Sequence, residues 1–251
     1  MVEQPPSDGY TYQQAVRVDM PQRVPYVTYT ILGITVVIYL AQMLSEILLG
    51  TDLPAYFGMK INEFIIQGQF WRLFTPALLH GSILHIGFNM YALLTIGSGL
   101  ERFFGHGRYL LLYLSGAFAG NVLSFLLSSN PSLGASTAIF GLLGAQGIFL
   151  YRHRELFGSQ ARAALQNVIT VAGINFLIGL QPGIDNWGHL GGLLGGLIFT
   201  WFGGPRLTIE GLYPLMRIED EHGNTQTVTA VAVVLLIFGA LTALRISGLG
   251  G

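Results

Sequence analysis

The sequence predicts an all-α membrane protein with seven spanning helices. Of its 251 residues, 51% are hydrophobic and only 10% are charged, and the mean hydropathy is +0.55. Soluble domains carry about 25% charged residues, so this chain has too few charges to cover a water-exposed surface. Seven stretches also reach the length of roughly 17–25 mostly apolar residues that a spanning helix requires.

The seven predicted spans set the domain organisation. In chain order they cover residues 27–49, 77–100, 109–127, 133–151, 163–180, 187–203 and 227–244. The first follows a polar segment without a charged n-region or a small-residue cleavage site, so it is predicted to be a span and not a signal peptide. We expect a loosely ordered N-terminal tail (1–26), a six-helix membrane domain (27–203), a loop (204–226), and a seventh helix with a short tail (227–251).

The basic residues predict the orientation. With the N-terminus in the cytoplasm, nine of them fall inside: Arg17, Arg23, Arg102, Arg108, Arg152, Arg154, Arg162, Arg206 and Arg217. Only Lys60, Arg72 and Arg245 fall outside. This positive-inside bias places the N-terminus and the 204–226 loop in the cytoplasm and the C-terminus outside. The short tail, with no transit peptide, favours a bacterial plasma membrane.

Several kinds of chemistry are disfavoured by composition. The formal net charge of −1 gives no indication of nucleic-acid binding, and the chain has no cysteine for disulfides, thiolate catalysis or Cys-type zinc sites. His80 and His85 are five residues apart, which turns them about 140° from each other on a helix, a poor spacing for a shared metal. We therefore expect no metal and no cofactor.

Four polar residues within the predicted spans point to a functional site. Ser136 lies near the start of the fourth span, His189 near the start of the sixth, and His85 and Asn89 in the first half of the second. These three spans run in the same direction, so all four residues are predicted at one depth in the outer half of the membrane. Polar side chains at that depth are costly and usually functional. His80 and Ser82 are predicted near the mouth of this site, where water would enter.

Glycine spacing predicts that the fourth and sixth spans touch. One row repeats every four residues in the sixth span, a second row lies beside it, and the fourth span is also glycine-rich: Gly188, Gly192 and Gly196; Gly191 and Gly195; Gly134, Gly141 and Gly144. Small residues allow membrane helices to approach closely. A serine and a histidine need that proximity to come within the roughly 2.6–3.2 Å of a nucleophile–base pair.

Each of these features also has a purely structural interpretation. A serine in a membrane helix usually bonds a carbonyl of its own helix, glycine rows usually serve packing, and a single histidine often bonds between helices. Asp185, four residues before His189, is a candidate third catalytic member, but its position at a loop–helix junction favours an N-cap role. The combination of features favours a site.

The motifs in this order resemble the rhomboid intramembrane serine proteases. The resemblance runs from about residue 70 to 203 and rests on Trp71-Arg72, the stretch from His80 through His85 to Asn89, Leu100-Glu101, Gly134-Ala135-Ser136 with Phe140-Gly141 and Gly144, and Gly188-His189 with Gly191-Gly192. It implies a rhomboid-like six-helix core with an appended seventh helix, the six-plus-one variant of the family.

The resemblance also implies roles for individual residues. Ser136 matches the nucleophile and His189 the general base, while His85 and Asn89 match residues that stabilise the oxyanion. Phe140 matches an aromatic that packs on the histidine, and Gly134 belongs to the serine motif. The chain departs from the family where Thr137 replaces the usual glycine after the serine, a β-branched residue that is stiff at χ1.

These observations predict an intramembrane serine endopeptidase that uses a Ser136–His189 dyad on transmembrane segments near the outer face of the bilayer. Its partners are then membrane lipids and transmembrane protein substrates, with an undetermined oligomeric state. Two alternatives remain open. One is a catalytically inactive rhomboid-like protein that binds transmembrane helices, which Thr137 alone favours. The other is a small transporter or channel, which the clustering of the polar residues at one depth disfavours.

Overall fold

The computed structural model of the protein describes residues 23–211 and 216–248. The predicted tail lies almost wholly outside these residues, as do 212–215 of the predicted loop and the last three residues. The α-helices are α1 (Tyr26–Leu49), α2 (Leu53–Gly58), α3 (Asn62–Ile66), α4 (Ile83–Ala92), α5 (Ser98–Phe104), α6 (His106–Leu127), α7 (Ser136–Arg152), α8 (Arg154–Ile178), α9 (Asn186–Gly203) and α10 (Asn224–Ile246).

Five helices of the described chain are long and apolar enough to cross a membrane: Tyr26–Leu49, Ile83–Phe104, His106–Leu127, Arg154–Ile178 and Asn224–Ile246. The second of these joins α4 to α5 through a π-helical turn, Leu93–Gly97. The helices α7 and α9 lie at the predicted fourth and sixth spans, but they are only 17 and 18 residues long. Both pack against other helices through many buried residues, and their crossing of the membrane stays a prediction.

Two predicted helix starts are wrong, those of the second and fifth spans, and the fourth differs by three residues, within the uncertainty of about 2–4 residues of such predictions. Residues 77 and 78 belong to a 3-10 turn, and α4 begins at Ile83, where the Ser82 hydroxyl accepts a hydrogen bond from the His85 amide at 3.2 Å. The fourth span starts at Ser136, after Gly134 with a φ of 135°. The helix of the fifth span starts earlier than predicted, at Arg154, and includes a non-helical Gly158.

The core of the bundle is α6, α7 and α9, which meet through glycines. The first glycine row of α9 faces α7: a Cβ on Gly192 would lie 2.8 Å from the Thr137 carbonyl carbon. The second row faces α6: a Cβ on Gly191 would lie 2.6 Å from the Leu123 Cβ. The glycine spacing thus correctly predicted the α7–α9 contact, and the second row supplies the contact with α6. Backbones can come this close only where side chains are absent.

The long connection between α1 and α4 is a compact, hydrogen-bonded unit. The buried Arg72 donates from Nη1 to the Met59 carbonyl at 2.7 Å and from Nη2 to the Tyr56 carbonyl at 2.9 Å. Lys60, also fully buried, donates from Nζ to the carbonyls of Ser128 and Asn130 at 2.9 and 2.8 Å. The connection is therefore fastened to the loop that leads into α7.

The loop at 204–226 contains a β-hairpin that the sequence did not predict. Strands β1 (Leu207–Glu210) and β2 (Arg217–Asp220) pair antiparallel, with Leu207 opposite Asp220. Arg108 of α6 reaches this hairpin and α10 together, because it donates to the Asp220 carboxylate at 2.6 Å and to the Thr227 hydroxyl at 3.0 Å. The helix α10 packs against α6 and α9.

Candidate active site

Ser136 is the first residue of α7, and the turn before it sets its position. Gly134 takes a φ of 135°, a region that L side chains rarely adopt, and its amide donates to the Pro76 carbonyl at 2.9 Å. The first amides of a helix have no acceptor within the helix, and the helix dipole is positive there. The serine hydroxyl thus lies beside donors suited to an oxyanion.

His189, near the start of α9, meets Ser136 directly. Its Nε2 lies 3.0 Å from the Ser136 Oγ, the distance of a nucleophile–base hydrogen bond. The imidazole is 8% exposed, and its ring stacks on Phe140 with centroids 4.3 Å apart and planes 10° from parallel. The structure therefore brings together Ser136 and Phe140 of α7 and His189 of α9, as the sequence predicted.

The other nitrogen of His189, Nδ1, is buried and has no hydrogen-bond partner among the described residues. Asp185 does not supply one. Its carboxylate accepts from the Gly188 amide at 2.9 Å and from the Ser124 hydroxyl, and it caps α9. The N-cap interpretation of Asp185 is thus confirmed. The imidazole is oriented by stacking on Phe140 and not by a carboxylate.

His85 lies on the opposite side of the serine, against Gly134. A Cβ on Gly134 would be 2.8 Å from His85 Cε1 and Nε2 and 3.7 Å from Ser136 Oγ. Gly134 therefore has a second reason to be glycine, since any side chain would displace the His85 ring. The Nδ1 of His85 accepts from the Gly81 amide at 3.4 Å, which directs Nε2 towards the serine motif.

Asn89 is buried one turn further along α4 on the same face as His85. Its Nδ2 donates to the His85 carbonyl at 2.9 Å, within its own helix. An amide nitrogen carries two donor hydrogens, so this bond leaves one for a partner outside the helix. Asn89 forms no hydrogen bond with Ser136 in the structure.

Thr137, the departure from the family motif, points into the helix packing. Its Cβ would lie 2.6 Å from a Cβ on Gly120 of α6, and its Cγ2 would lie 3.1 Å from one on Gly188 of α9. Successive residues of a helix diverge by about 100°, so this side chain and that of Ser136 have different directions. Thr137 fills space at the junction of three helices.

His80 corrects one expectation. It is 1% exposed and does not line a mouth open to water. Its Nε2 accepts from the Ala135 amide at 3.4 Å, and its own amide donates to Gln42 Oε1 at 3.0 Å. His80 therefore links α1 to the turn that presents Ser136. No sequence pattern indicated these contacts, because Gln42 and Ala135 are distant from His80 in the chain.

Comparison with known proteins shows which proteins this chain resembles. The model of the Rhomboid domain matches residues 67–206, which include all of the candidate site residues. The rhomboid protease GluP of Bacillus subtilis strain 168 is 39% identical over 173 residues, covering 68% of this chain and 34% of that protein. RHOMBOID-like protein 9, chloroplastic, of Arabidopsis thaliana is 34% identical over 159 residues, covering 63% of this chain and 37% of that protein.

A third similar protein, RHOMBOID-like protein 2 of Arabidopsis thaliana, is 38% identical over 192 residues, covering 74% of this chain and 60% of that protein. The chain thus spans little more than a third of the length of the first two relatives.

Proposed function

This chain belongs to the rhomboid family, and on that premise we propose that it is an intramembrane serine endopeptidase that cleaves transmembrane segments of other membrane proteins. The family and the five apolar helices indicate an integral membrane protein. The single observation that carries the proposal is the 3.0 Å separation between Ser136 Oγ and His189 Nε2.

In the proposed reaction, Ser136 Oγ attacks the carbonyl carbon of the scissile peptide while His189 Nε2 takes the hydroxyl proton. The tetrahedral intermediate collapses to an acyl-enzyme as the imidazolium returns its proton to the leaving amine. Water, deprotonated by the same imidazole, then releases the new carboxyl end. These are the reaction steps of a serine protease, but without a carboxylate bonded to His189 Nδ1. Stacking of His189 on Phe140 supports the two-residue version, because it fixes the ring that an aspartate otherwise orients.

The oxyanion is proposed to lie between α7 and α4. The Ser136 amide at the helix start supplies one donor, and His85 and Asn89 supply side-chain donors from α4. The position of the His85 ring against Gly134 supports this role. Losing one such donor typically lowers kcat by about 10²–10³-fold.

Substrates are proposed to be membrane-spanning helices that enter the site sideways from the lipid. Segments with helix-weakening residues should be preferred, because a regular helix keeps its carbonyls in hydrogen bonds. The excess of basic residues at the opposite end of the bundle supports cleavage near the outer face, with a cytoplasmic N-terminus. A bacterial plasma membrane stays our expectation for the location.

Two variants test the proposal. Ser136→Ala and His189→Ala should each lower cleavage of a model transmembrane substrate by at least about 10³-fold while the protein stays folded. Ser115→Ala, at a buried serine of α6, is the matched control and should cleave normally. A fluorophosphonate probe should label the wild type and not the Ser136→Ala variant.

The same experiment separates the alternatives. If the wild type neither cleaves the substrate nor is labelled by the probe, but still binds transmembrane helices of other proteins, the chain is an inactive rhomboid-like binder. If Ser136→Ala still cleaves, the nucleophile is elsewhere. The position of the Thr137 side chain in the helix packing supports the active alternative over the inactive one.

A further inference from the structure

A small basic cavity lies at the end of the bundle opposite the serine and histidine. It has a volume of about 300 Å³ and is lined by Arg152, His153, Arg206, Leu207 and His222. Arg152 ends α7, and the other residues come from the α7–α8 junction and from the segment around the β-hairpin. We call it the hairpin pocket. The proposed mechanism uses none of these residues.

The positive charge of the hairpin pocket is only partly neutralised. Arg152 forms no ion pair with any described residue; its Nη groups donate instead to the Thr200 and Trp201 carbonyls at the end of α9. Arg206 has one long contact, 3.4 Å from its Nε to a Glu221 carboxylate oxygen, and its side chain is 67% exposed. Guanidinium groups have five donors each, so both arginines retain free N–H groups.

The nearest well-placed acid is already used. The Asp220 carboxylate accepts from Arg108 Nη1 at 2.6 Å, from the Arg206 amide at 2.8 Å and from the His222 amide at 3.0 Å. Its charge is therefore paired with Arg108, outside the hairpin pocket. Two arginine side chains therefore line one cavity, and among the described residues only Glu221, which contacts Arg206 at 3.4 Å, forms an ion pair with either of them.

The two histidines have different functions in the hairpin pocket. His153 donates from Nδ1 to the Phe149 carbonyl at 2.7 Å and accepts at Nε2 from the Leu207 amide at 2.9 Å. Burial lowers the pKa of His153, which favours the neutral ring. Through its two hydrogen bonds the ring links β1 to α7. His222 uses only Nδ1, 2.8 Å from the Gly204 carbonyl, and keeps Nε2 for another partner.

The surroundings of the hairpin pocket are those of a membrane boundary. Trp201 and Tyr151 are 51% and 50% exposed. The Arg152 guanidinium lies 4.7 Å from the Trp201 ring centroid, and the Arg154 guanidinium lies 4.7 Å from the Tyr151 ring centroid. Exposed aromatics beside arginines are typical of the headgroup level of a bilayer. Basic cavities between helices at that level hold lipid phosphates.

We propose that the hairpin pocket is a binding site for a phosphate group, held by Arg152 and Arg206. Planar guanidinium groups match phosphate oxygens in pairs, which favours phosphate over other anions. The phosphate comes either from the headgroup of an anionic lipid or from free phosphate in the aqueous phase.

Native mass spectrometry of the detergent-purified full chain tests this inference without using proteolysis. The probes are phosphatidylglycerol, zwitterionic phosphatidylcholine, and inorganic phosphate as a competitor. Arg206→Gln is the informative variant, because Arg206 caps no helix. Arg154→Gln, at an exposed arginine of the same face outside the pocket, is the matched control.

The wild type should retain phosphatidylglycerol in preference to phosphatidylcholine, and Arg206→Gln should lower that retention by about fivefold, as expected for one arginine charge at a lipid surface. Arg154→Gln should change it by less than about twofold. If inorganic phosphate displaces the lipid or binds in its place, free phosphate is also a ligand; if it does neither, the ligand is the lipid headgroup. Equal losses in both variants, or no loss in Arg206→Gln with either probe, overturn the proposal.

Discussion

Gly192→Ala should separate the serine from the histidine without changing either residue. Gly192 lies three residues after His189, where α9 crosses α7 at Thr137. A Cβ at this position would overlap the Thr137 carbonyl oxygen and lie 2.8 Å from its carbon, whereas ordinary contact begins at 3.4 Å. Neither partner is a flexible side chain, so the two backbones have to move apart.

The size of this movement follows from the same distances. Restoring ordinary contact between the new Cβ and the Thr137 carbonyl carbon requires a movement of about 0.6 Å, and the carbonyl oxygen requires more. We therefore expect the α7 and α9 backbones to move apart by about 1 Å. Added to the 3.0 Å between Ser136 Oγ and His189 Nε2, it takes the pair beyond hydrogen-bond range. A 1 Å misplacement of reacting groups costs about 10²-fold in rate, and overpacking of this kind costs about 1–3 kcal/mol of stability.

Cleavage of a transmembrane substrate and the rate of fluorophosphonate labelling measure the effect, and thermal unfolding in detergent shows how much protein stays folded. Gly239→Ala is the matched control, because its added methyl group meets nothing within 4 Å in α10. It should keep wild-type activity, with a stability equal or slightly higher. If folded Gly192→Ala cleaves the substrate and is labelled at normal rates, the close approach of α7 and α9 does not determine the distance between Ser136 Oγ and His189 Nε2.

Three further predictions concern buried polar groups. Thr137→Val should raise the free energy of unfolding by about 1 kcal/mol and keep cleavage within about twofold, because the Thr137 hydroxyl is buried without a partner among the described residues; a large loss of activity would instead give the hydroxyl a catalytic role. Burial lowers the pKa of Lys60 to about 8 from 10.5, so the unfolded chain binds more protons between these values and stability should rise by up to about 3 kcal/mol from pH 8 to pH 10.5; denaturant titrations check this, and a rise of equal size in Lys60→Met contradicts it. The Glu101 carboxylate accepts from the Val27 and Thr28 amides at 2.8 Å each, so Glu101→Gln should cost about 2–3 kcal/mol in thermal unfolding, while the exposed Glu155→Gln should cost almost nothing.

Much of the helical layout was predictable because it depends on local composition. Helices occur at all seven predicted spans, and Asp185 caps α9 as its position before the span suggested. The errors lie at the starts of helices, where one glycine φ or one capping hydroxyl decides the first residue. The β-hairpin was missed because its two four-residue strands are too short to produce a clear alternation.

The approach of Ser136 to His189 was predictable, but its geometry was not. The glycine rows predicted that α7 and α9 touch, which brings the serine and the histidine together; the roles of His85 and Asn89 stay predictions. The burial of His80, which links α1 to the turn before Ser136, was not predictable because it depends on contacts with Gln42 and Ala135, which are distant in the chain. The direction of Thr137 depended likewise on which helices flank it.

The sequence by itself determined which residues are apolar and where glycine recurs every fourth position, since these are one-dimensional patterns with a helical period. Only the tertiary structure decided that one glycine row faces α7 and the other α6, and that Ser136 is the first residue of its helix. It also decided that the serine and histidine stand 3.0 Å apart. The physical reason is that a periodic pattern selects the face of a helix, whereas its partner and its distance depend on how all the helices pack at once.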